Sequence, residues 1–152
     1  MADEFPAMTL KAIGIVRNGI KQKPPPGYDW GKVISEIVID SSLTEALDGL
    51  EEFSHIVVLF WFHQVTSQQV SLKIRPMGRK ELPLVGLFAT GTPKRPNRIG
   101  RTTVRLLQRQ GNILKVEGLD ALDGTPVVDI KSYNPKYDSV TGTKVPQWVT
   151  NL

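Results

Sequence analysis

The sequence is organised around the stretch Gly86-Leu-Phe-Ala-Thr-Gly-Thr-Pro-Lys-Arg-Pro-Asn-Arg-Ile-Gly-Arg-Thr-Thr-Val104. Its first four residues are small or apolar and predict the end of a strand, and Thr102 begins another strand. Between these strands Pro93 and Pro96 fix φ and remove two backbone donors, which stiffens the loop. The loop carries four cations, Lys94, Arg95, Arg98 and Arg101. A stiff cationic loop favours an anionic or highly polar partner, although a solvated surface loop would fit the same pattern.

Basic residues are concentrated in the middle of the chain. Residues 73–115 contain eleven Lys or Arg and one acid, whereas residues 1–72 contain five Lys or Arg and nine acids. Residues 116–152 contain three Lys or Arg and five acids, so both flanks of the basic centre are mildly acidic. Concentrated positive charge is the pattern expected of nucleic-acid or phosphate binding, with a solvated basic face as the alternative.

The composition excludes several classes of site. The chain of 152 residues fits one domain with a sizeable core. It has no cysteine, which excludes disulfides, zinc–thiolate sites and a cysteine nucleophile. Its two histidines have no carboxylate at ligand spacing, so no metal is expected. No apolar run approaches the roughly 18 residues of a membrane span and the start lacks a signal-peptide pattern. We expect a cytoplasmic protein without a membrane partner.

Short β-prone segments alternate with Gly- and Pro-rich turns along the chain. The seven apolar residues of 56–62 predict a strand buried on both faces at the centre of the sheet. Ser42 to Glu45 has capping-box spacing and predicts a short helix whose buried stripe is Leu43, Leu47 and Leu50. Further strands are expected at residues 9–17, 33–39, 70–74, 83–89, 102–109, 113–117 and 127–130.

This pattern predicts a mainly β fold, a small closed or partly open β-barrel with one or two short helices. Residues 1–135 are expected to form the barrel domain. Residues 136–152 have little periodicity and are expected to form a C-terminal tail or arm.

Two groups of polar residues outside the central loop are candidates for a binding site. His63 and Gln64 follow the buried strand and are well placed to face a cleft, although a histidine at a strand end is more often structural. Asp123-Gly124 predicts a tight turn whose backbone can approach a ligand. The Asp123 carboxylate can accept hydrogen bonds from an amine or a ribose hydroxyl, or it can simply close an Asx turn.

Four motifs in order resemble the TrmO/TsaA-like family. They are Phe53-Ser-His-Ile-Val-Val-Leu-Phe-Trp-Phe-His63, Gly86-Leu-Phe-Ala-Thr90, Arg95-Pro-Asn97 with Ile99-Gly100, and Asp123-Gly-Thr-Pro-Val-Val-Asp-Ile-Lys131. The resemblance covers about residues 10–135. It implies an S-adenosylmethionine-dependent tRNA methyltransferase that modifies N6 of the threonylcarbamoyl-adenosine beside the anticodon. It also implies a β-barrel unrelated to the doubly wound methyltransferases and a homodimer with the cofactor near the subunit interface.

The resemblance also implies which residues form the site. The S-adenosylmethionine contacts of the family fall on His63, Gln64, Gly91, Arg101, Leu122, Asp123, Gly124 and Thr125. Contacts with tRNA are expected from Lys94, Arg95, Arg98 and Tyr133. The expected catalytic residues are Asp123, Asn97 and Asp129, since adenine N6 is a weak nucleophile and an acceptor for its proton would help.

The chain departs from the family pattern in the central loop. Gly91-Thr92-Pro93 stands where the family usually has Arg-Ser-Pro, so a cofactor-side arginine is missing. The stretch Asn97-Arg-Ile-Gly-Arg-Thr102 replaces the usual Asn-Pro-Ile-Gly-Leu-Ser. Arg98 and Arg101 can supply the charge lost at Gly91. Two other functions fit the sequence: a non-catalytic barrel that binds S-adenosylmethionine and RNA, and a plain RNA-binding module without a cofactor.

Overall fold

The computed structural model describes residues 4–152, so the first three residues of the predicted barrel domain lie outside the described part. Six strands close into an antiparallel barrel in the order β1-β2-β7-β6-β3-β8, and β4 and β5 form a separate two-stranded sheet. The mainly β barrel predicted from the sequence is confirmed. The strands are β1 Gly14–Arg17, β2 Ile34–Ile39, β3 His55–Trp61, β4 Lys73–Ile74, β5 Val85–Gly86, β6 Ile99–Gln110, β7 Ile113–Glu117 and β8 Pro126–Ser132.

Helices are short and lie in the connections. Five 3₁₀ turns span Trp30–Lys32, Ser41–Leu47, Leu50–Glu52, Pro76–Gly78 and Leu87–Ala89. Two α-helical turns, α1 Pro135–Asp138 and α2 Gln147–Thr150, lie in the C-terminal segment. Within residues 4–152, no helix has the length and hydrophobicity needed to cross a bilayer.

The interior of the barrel follows from strand alternation. In β2, Ser35, Ile37 and Ile39 are buried while the intervening residues face outward. Strand β3 pairs with β6 on one side and β8 on the other, as every strand of a closed barrel has two neighbours. Its inward residues are buried, whereas on its outer face Val57 is buried and Leu59 and Trp61 are half-buried. The core is made of residues from every barrel strand and the loops between them: Val16, Ile37, Ile39, Leu47, Ile56, Val58, Phe60, Val104, Leu114, Val116, Leu119, Ala121 and Val127.

The predicted capping box at Ser42 is wrong. The 3₁₀ helix begins at Ser41, and Asp40 is its N-cap, with Oδ1 accepting the Ser42 amide hydrogen at 3.0 Å. The N-cap is therefore Asp40, two residues before the serine that the sequence pattern predicted for this position. Of the expected apolar stripe only Leu47 is fully buried, because a 3₁₀ helix places side chains at threefold spacing and leaves Leu43 exposed.

The strand predicted at residues 83–89 is also mostly wrong. Only Val85 and Gly86 are extended, and a 3₁₀ turn follows. The Thr90 amide and hydroxyl both donate to the Leu87 carbonyl, which turns the chain. Strand β6 in turn starts at Ile99, three residues earlier than expected, because Ile99 to Arg101 pair with the end of β3. The connection between these two strands therefore lies three residues closer to the N-terminus than the sequence indicated.

Gly100 permits the close packing of two aromatic rings at one end of the barrel. A β-carbon at this position would lie 2.6 Å from the Phe60 ring and 2.8 Å from the Phe62 ring. The two rings themselves meet edge to face with centroids 5.3 Å apart. Glycine is therefore required here by space rather than by backbone conformation.

We expect Gly100→Ala to lower the free energy of unfolding by about 1–3 kcal/mol, because a methyl group must displace a packed ring. The measurement is urea denaturation followed by circular dichroism. Gly86→Ala is the matched control, since a β-carbon there meets nothing within 4 Å and its φ of −63° suits alanine. Equal stability of the two variants would contradict the packing role of Gly100.

Candidate functional site

A cavity of about 730 Å³ opens at one end of the barrel. The loops after β1, after β3 and before β8 all lie at this end, because neighbouring barrel strands are antiparallel. Its size is within the range of roughly 300–1,000 Å³ that is typical of small-molecule sites. It is lined by Lys23, Pro24, Pro25, Pro26, Gly27, Tyr28, Trp30, Phe60, Phe62, His63, Gln64, Val65, Gly91, Thr92, Pro93, Lys94, Asp120, Ala121, Leu122 and Thr125.

The cavity brings together most of the residues predicted to bind a cofactor. Those that line it are His63, Gln64, Gly91, Leu122 and Thr125. Gly124 lies beside them, because a β-carbon placed on it would be 3.9 Å from His63 Nε2. Segments as far apart in the sequence as His63 and Thr125 thus form one wall. The structure supports their grouping, and their ligand stays a prediction.

Asp123 and Arg101 are placed differently from the other predicted cofactor residues. Arg101 pairs with Leu59 on the outer face of the barrel and does not line the cavity. The Asp123 carboxylate turns towards β1, where Oδ1 accepts the amide hydrogens of Asn18 at 2.8 Å and Gly19 at 3.1 Å. These two backbone hydrogen bonds hold the pKa of Asp123 below its usual value.

The Asp123-Gly124 turn is held to the end of β1 by further hydrogen bonds. The Asp123 amide donates to the Ile20 carbonyl at 2.7 Å, and the Gly124 amide donates to the Val16 carbonyl at 2.8 Å. Asn18 Nδ2 donates to the Ala121 carbonyl at 2.8 Å. The carboxylate of Asp123 is therefore part of the support behind the cavity wall.

Two of the arginines predicted to bind substrate are bound to carbonyl oxygens of their own loop region. Arg98 donates to Val65 and Ser67, across the base of the loop. Arg95 Nη1 donates to the Thr90 carbonyl at 3.0 Å and the Thr92 carbonyl at 3.1 Å. Both side chains therefore stiffen the connection between β3 and β6.

The other two predicted substrate residues lie far apart. Lys94 lines the cavity and is exposed. Tyr133 follows β8 and its ring lies 6.2 Å from that of His55, at the opposite end of the barrel. Lys94 and Tyr133 therefore do not lie on one surface of this chain.

The three predicted catalytic residues do not line the larger cavity. Asn97 lines a second cavity of about 620 Å³ on the outer face, beside Trp61 and Ile99. Asp129 also lies on the outer face, across from Leu59, and Asp123 supports the wall as described.

Asp120 was not selected from the sequence, and it is the carboxylate that lines the cavity within residues 4–152. The Thr102 hydroxyl donates to Asp120 Oδ1. Thr102 faces the barrel interior because it pairs with the fully buried Val58. The sequence pattern favoured Asp123, which precedes a glycine and begins a family motif, and gave no comparable signal for Asp120. Over the same described range, no group of three or more His, Asp or Glu side chains could hold a metal ion.

The chain is similar to proteins of one family. The family model for the tRNA-methyltransferase O N-terminal domain matches residues 20–139. A crystal structure of TrmO superposes with a TM-score of 0.74 at 34% identity, over 92% of this chain and 64% of that one. A probable S-adenosyl-L-methionine-binding protein of Methanothermobacter thermautotrophicus is 41% identical over 86% of this chain and 93% of its own length.

Other relatives are considerably longer than the matched region. A probable S-adenosyl-L-methionine-binding protein of Archaeoglobus fulgidus is 41% identical over 90% of this chain, which spans 37% of that protein. The mouse tRNA (adenine(37)-N6)-methyltransferase is 44% identical over 62% of this chain and 22% of its own length.

We expect Asp123→Asn to lower the urea midpoint at pH 7, because the uncharged amide accepts the two hydrogen bonds from β1 more weakly. The folded-state pKa of Asp123 is depressed, so its contribution is present above the unfolded-state pKa and is lost as pH falls through the folded-state pKa. The difference between wild type and variant should therefore shrink in acid. The measurement is urea denaturation from pH 7 down to the acid range.

Glu45→Gln is the control for this experiment, because Glu45 is exposed and makes no side-chain hydrogen bond or ion pair in the described part of the chain. A stability difference for Asp123→Asn that does not change with pH would contradict the role of the charge.

Proposed function

The chain belongs to the tRNA-methyltransferase O family, and on this premise we propose that it is an S-adenosylmethionine-dependent methyltransferase of tRNA. Its target would be N6 of a threonylcarbamoyl-adenosine beside the anticodon, in the cytoplasm. The observation that carries the proposal is the cavity at the barrel end, where His63, Gln64, Leu122 and Thr125 meet Asp120. Two kinds of relative support it: those described as S-adenosyl-L-methionine-binding proteins and the mouse protein described as a tRNA methyltransferase.

The residues of the cavity fit S-adenosylmethionine. Its aromatic lining, Tyr28, Trp30, Phe60 and Phe62, suits an adenine ring and a cationic sulfonium. The exposed Lys94 ammonium suits the carboxylate of the methionine moiety. When bound, this cofactor supplies an electrophilic methyl group for an in-line displacement.

Asp120 is the residue that we expect to handle the proton of the substrate. Its carboxylate lines the cavity and is held by the Thr102 hydroxyl, so it can accept a hydrogen bond from an adenine N6–H and then take the proton. The surrounding loops have to align the nucleophile, and good orientation alone can contribute roughly 7–11 kcal/mol to lowering a barrier. Asp123 would act indirectly, by positioning Leu122 and Thr125.

We also propose a homodimer, in which the outer face of the barrel meets a second copy. Three residues that were predicted for the site lie on this face or line its groove: Asn97, Arg101 and Asp129. Trp61 and Ile99 line the same groove and offer apolar area to a partner. In this arrangement Asn97, Arg101 and Asp129 of one copy would complete the cavity of the other. Residues 1–135 would form the catalytic unit, with residues 136–152 as an arm.

We expect wild-type protein to bind S-adenosylmethionine in isothermal titration calorimetry and Gly91→Leu to weaken that binding at least about tenfold. Gly91 lines the cavity and a β-carbon there meets nothing within 4 Å, so the larger side chain would fill ligand space without disturbing the fold. Gly86→Leu is the matched control, because it is equally open but lies outside the cavity. Wild-type protein that binds no S-adenosylmethionine would leave only the plain RNA-binding function.

We expect purified wild-type protein to methylate tRNA that carries the threonylcarbamoyl group, and Asp120→Asn to lower the rate by about 10²–10⁴-fold while still binding S-adenosylmethionine. The measurement is mass spectrometry of nucleosides after incubation. Asp48→Asn is the control, because Asp48 is an exposed carboxylate at the opposite end of the barrel.

If Asp129→Asn loses activity while Asp120→Asn keeps full activity, Asp129 rather than Asp120 accepts the proton of the substrate. Wild-type protein that binds the cofactor and RNA but transfers no methyl group would favour the non-catalytic alternative.

A further inference from the structure

Residues 72–89 form a small flap outside the barrel, and this flap is well ordered by its own contacts. Strands β4 and β5 pair through Lys73 with Gly86 and Ile74 with Val85. The Leu87 amide donates to the Leu72 carbonyl at 2.9 Å, which extends the pairing. Leu82 and Leu87 are buried. Its exposed side chains are therefore presented by a folded element rather than by a loose loop.

The flap exposes large apolar side chains that the barrel does not use. Met77 adopts a left-handed backbone conformation with φ of 55°, which residues with a β-carbon rarely adopt. The side chains concerned are Leu72, Met77, Leu84 and Phe88, with exposed fractions of 78%, 65%, 54% and 80%. Single exposed apolar residues are common in proteins, but four on one short element indicate an interaction surface.

Phe88 is the best-positioned member of this group. It lies in the 3₁₀ turn Leu87–Ala89, which the Thr90 hydroxyl closes by donating to the Leu87 carbonyl at 2.8 Å. Leu87 points inward and Phe88 points into solvent. The guanidinium carbon of Arg95 lies 5.9 Å from the centre of the Phe88 ring. An exposed aromatic ring on a hydrogen-bonded turn, with a cation at its side, is an arrangement that can stack a nucleobase and attract its phosphate.

The segment that carries these apolar side chains is also rich in positive charge. Residues 72–95 contain six cations and one acid, Glu81, which is paired with Arg79 at 2.6 Å. The cations are Lys73, Arg75, Arg79, Lys80, Lys94 and Arg95. Because Lys94 lines the cavity and Arg95 contacts Phe88, this surface is continuous with the proposed active site.

We propose that the flap is a docking surface for single-stranded RNA, and that Phe88 stacks on an unpaired base next to the one that enters the cavity. This inference rests on the proposed tRNA substrate and specifies where the substrate is held outside the active site. A second copy of the chain is the competing occupant. It fits less well, because a symmetric contact would place the same excess of cations against itself.

The test is the affinity for an anticodon stem-loop RNA, measured by fluorescence anisotropy. Phe88→Ala should weaken binding by roughly 5- to 100-fold, the range expected when one stacked base loses its aromatic partner. Phe88→Tyr should stay within about threefold of wild type, because it keeps the ring.

Tyr137→Ala is the matched control. Tyr137 is 75% exposed and has the Lys136 ammonium 5.7 Å from its ring centre, but it lies outside the flap. It should bind RNA as wild type does. Wild-type affinity in Phe88→Ala, or absence of RNA binding by wild-type protein, would overturn the proposal. A smaller mass for Phe88→Ala in light scattering would also overturn it and make the flap a subunit interface.

Methyl transfer measured on the same RNA separates this inference from the proposed function. RNA binding that depends on Phe88 without methyl transfer would leave the docking surface standing and refute the enzyme. If the wild-type protein transfers methyl groups and Phe88→Ala binds RNA as tightly as wild type, the enzyme would stand and the docking surface would be refuted.

Discussion

Closure of the barrel between β1 and β8 is the constraint on which the rest of the structure depends. These strands share only two paired positions, Gly14 with Val127 and Ile15 with Pro126. Gly14 has to be glycine, because a β-carbon there would lie 2.8 Å from the Val38 carbonyl oxygen. So short a ladder would hold the two strands only weakly. Three backbone hydrogen bonds beyond it complete the closure: the amides of Val16, Gly124 and Asp123 donate to the carbonyls of Thr125, Val16 and Ile20, respectively.

This closure also builds the cavity. The chain between Leu119 and Pro126 has to approach β1 closely enough for the Asp123 carboxylate to accept the Asn18 and Gly19 amides. That approach fixes Leu122 and Thr125 in the wall and leaves Asp120 at its edge. Thr125 is buried, so its position is determined by packing as well as by hydrogen bonds. A site supported in this way loses little conformational entropy when a ligand binds, because its wall is already held.

The sequence could predict features that depend on neighbouring residues, but it could not predict contacts between residues far apart in the chain. The strand predicted at residues 33–39 and the apolar run of β3 depend on neighbouring residues, and the structure confirms both strands. The role of Asp123 depends on Asn18, which is 105 positions away, and no periodicity reports such a contact. The same holds for Asp120, which lies in the loop before β8 and whose partner Thr102 lies on β6. The residues that the family resemblance assigns to the cofactor include five that line one cavity, but also Arg101 and Asp123, which do not line it.

The arginines of the central segment show that a count of charges does not predict the contacts that each side chain makes. Arg75, Arg95 and Arg98 all donate to backbone carbonyl oxygens, which carry no net charge. Each guanidinium therefore stays positive while its position is fixed. By contrast, Arg109 is paired with Asp48 and Glu51, so its charge is largely offset. An arginine that is immobilised by neutral acceptors has already lost its rotamer freedom, and attraction of a phosphate then requires little further ordering. These three guanidinium groups are thus held in place, and within residues 4–152 no carboxylate forms an ion pair with them.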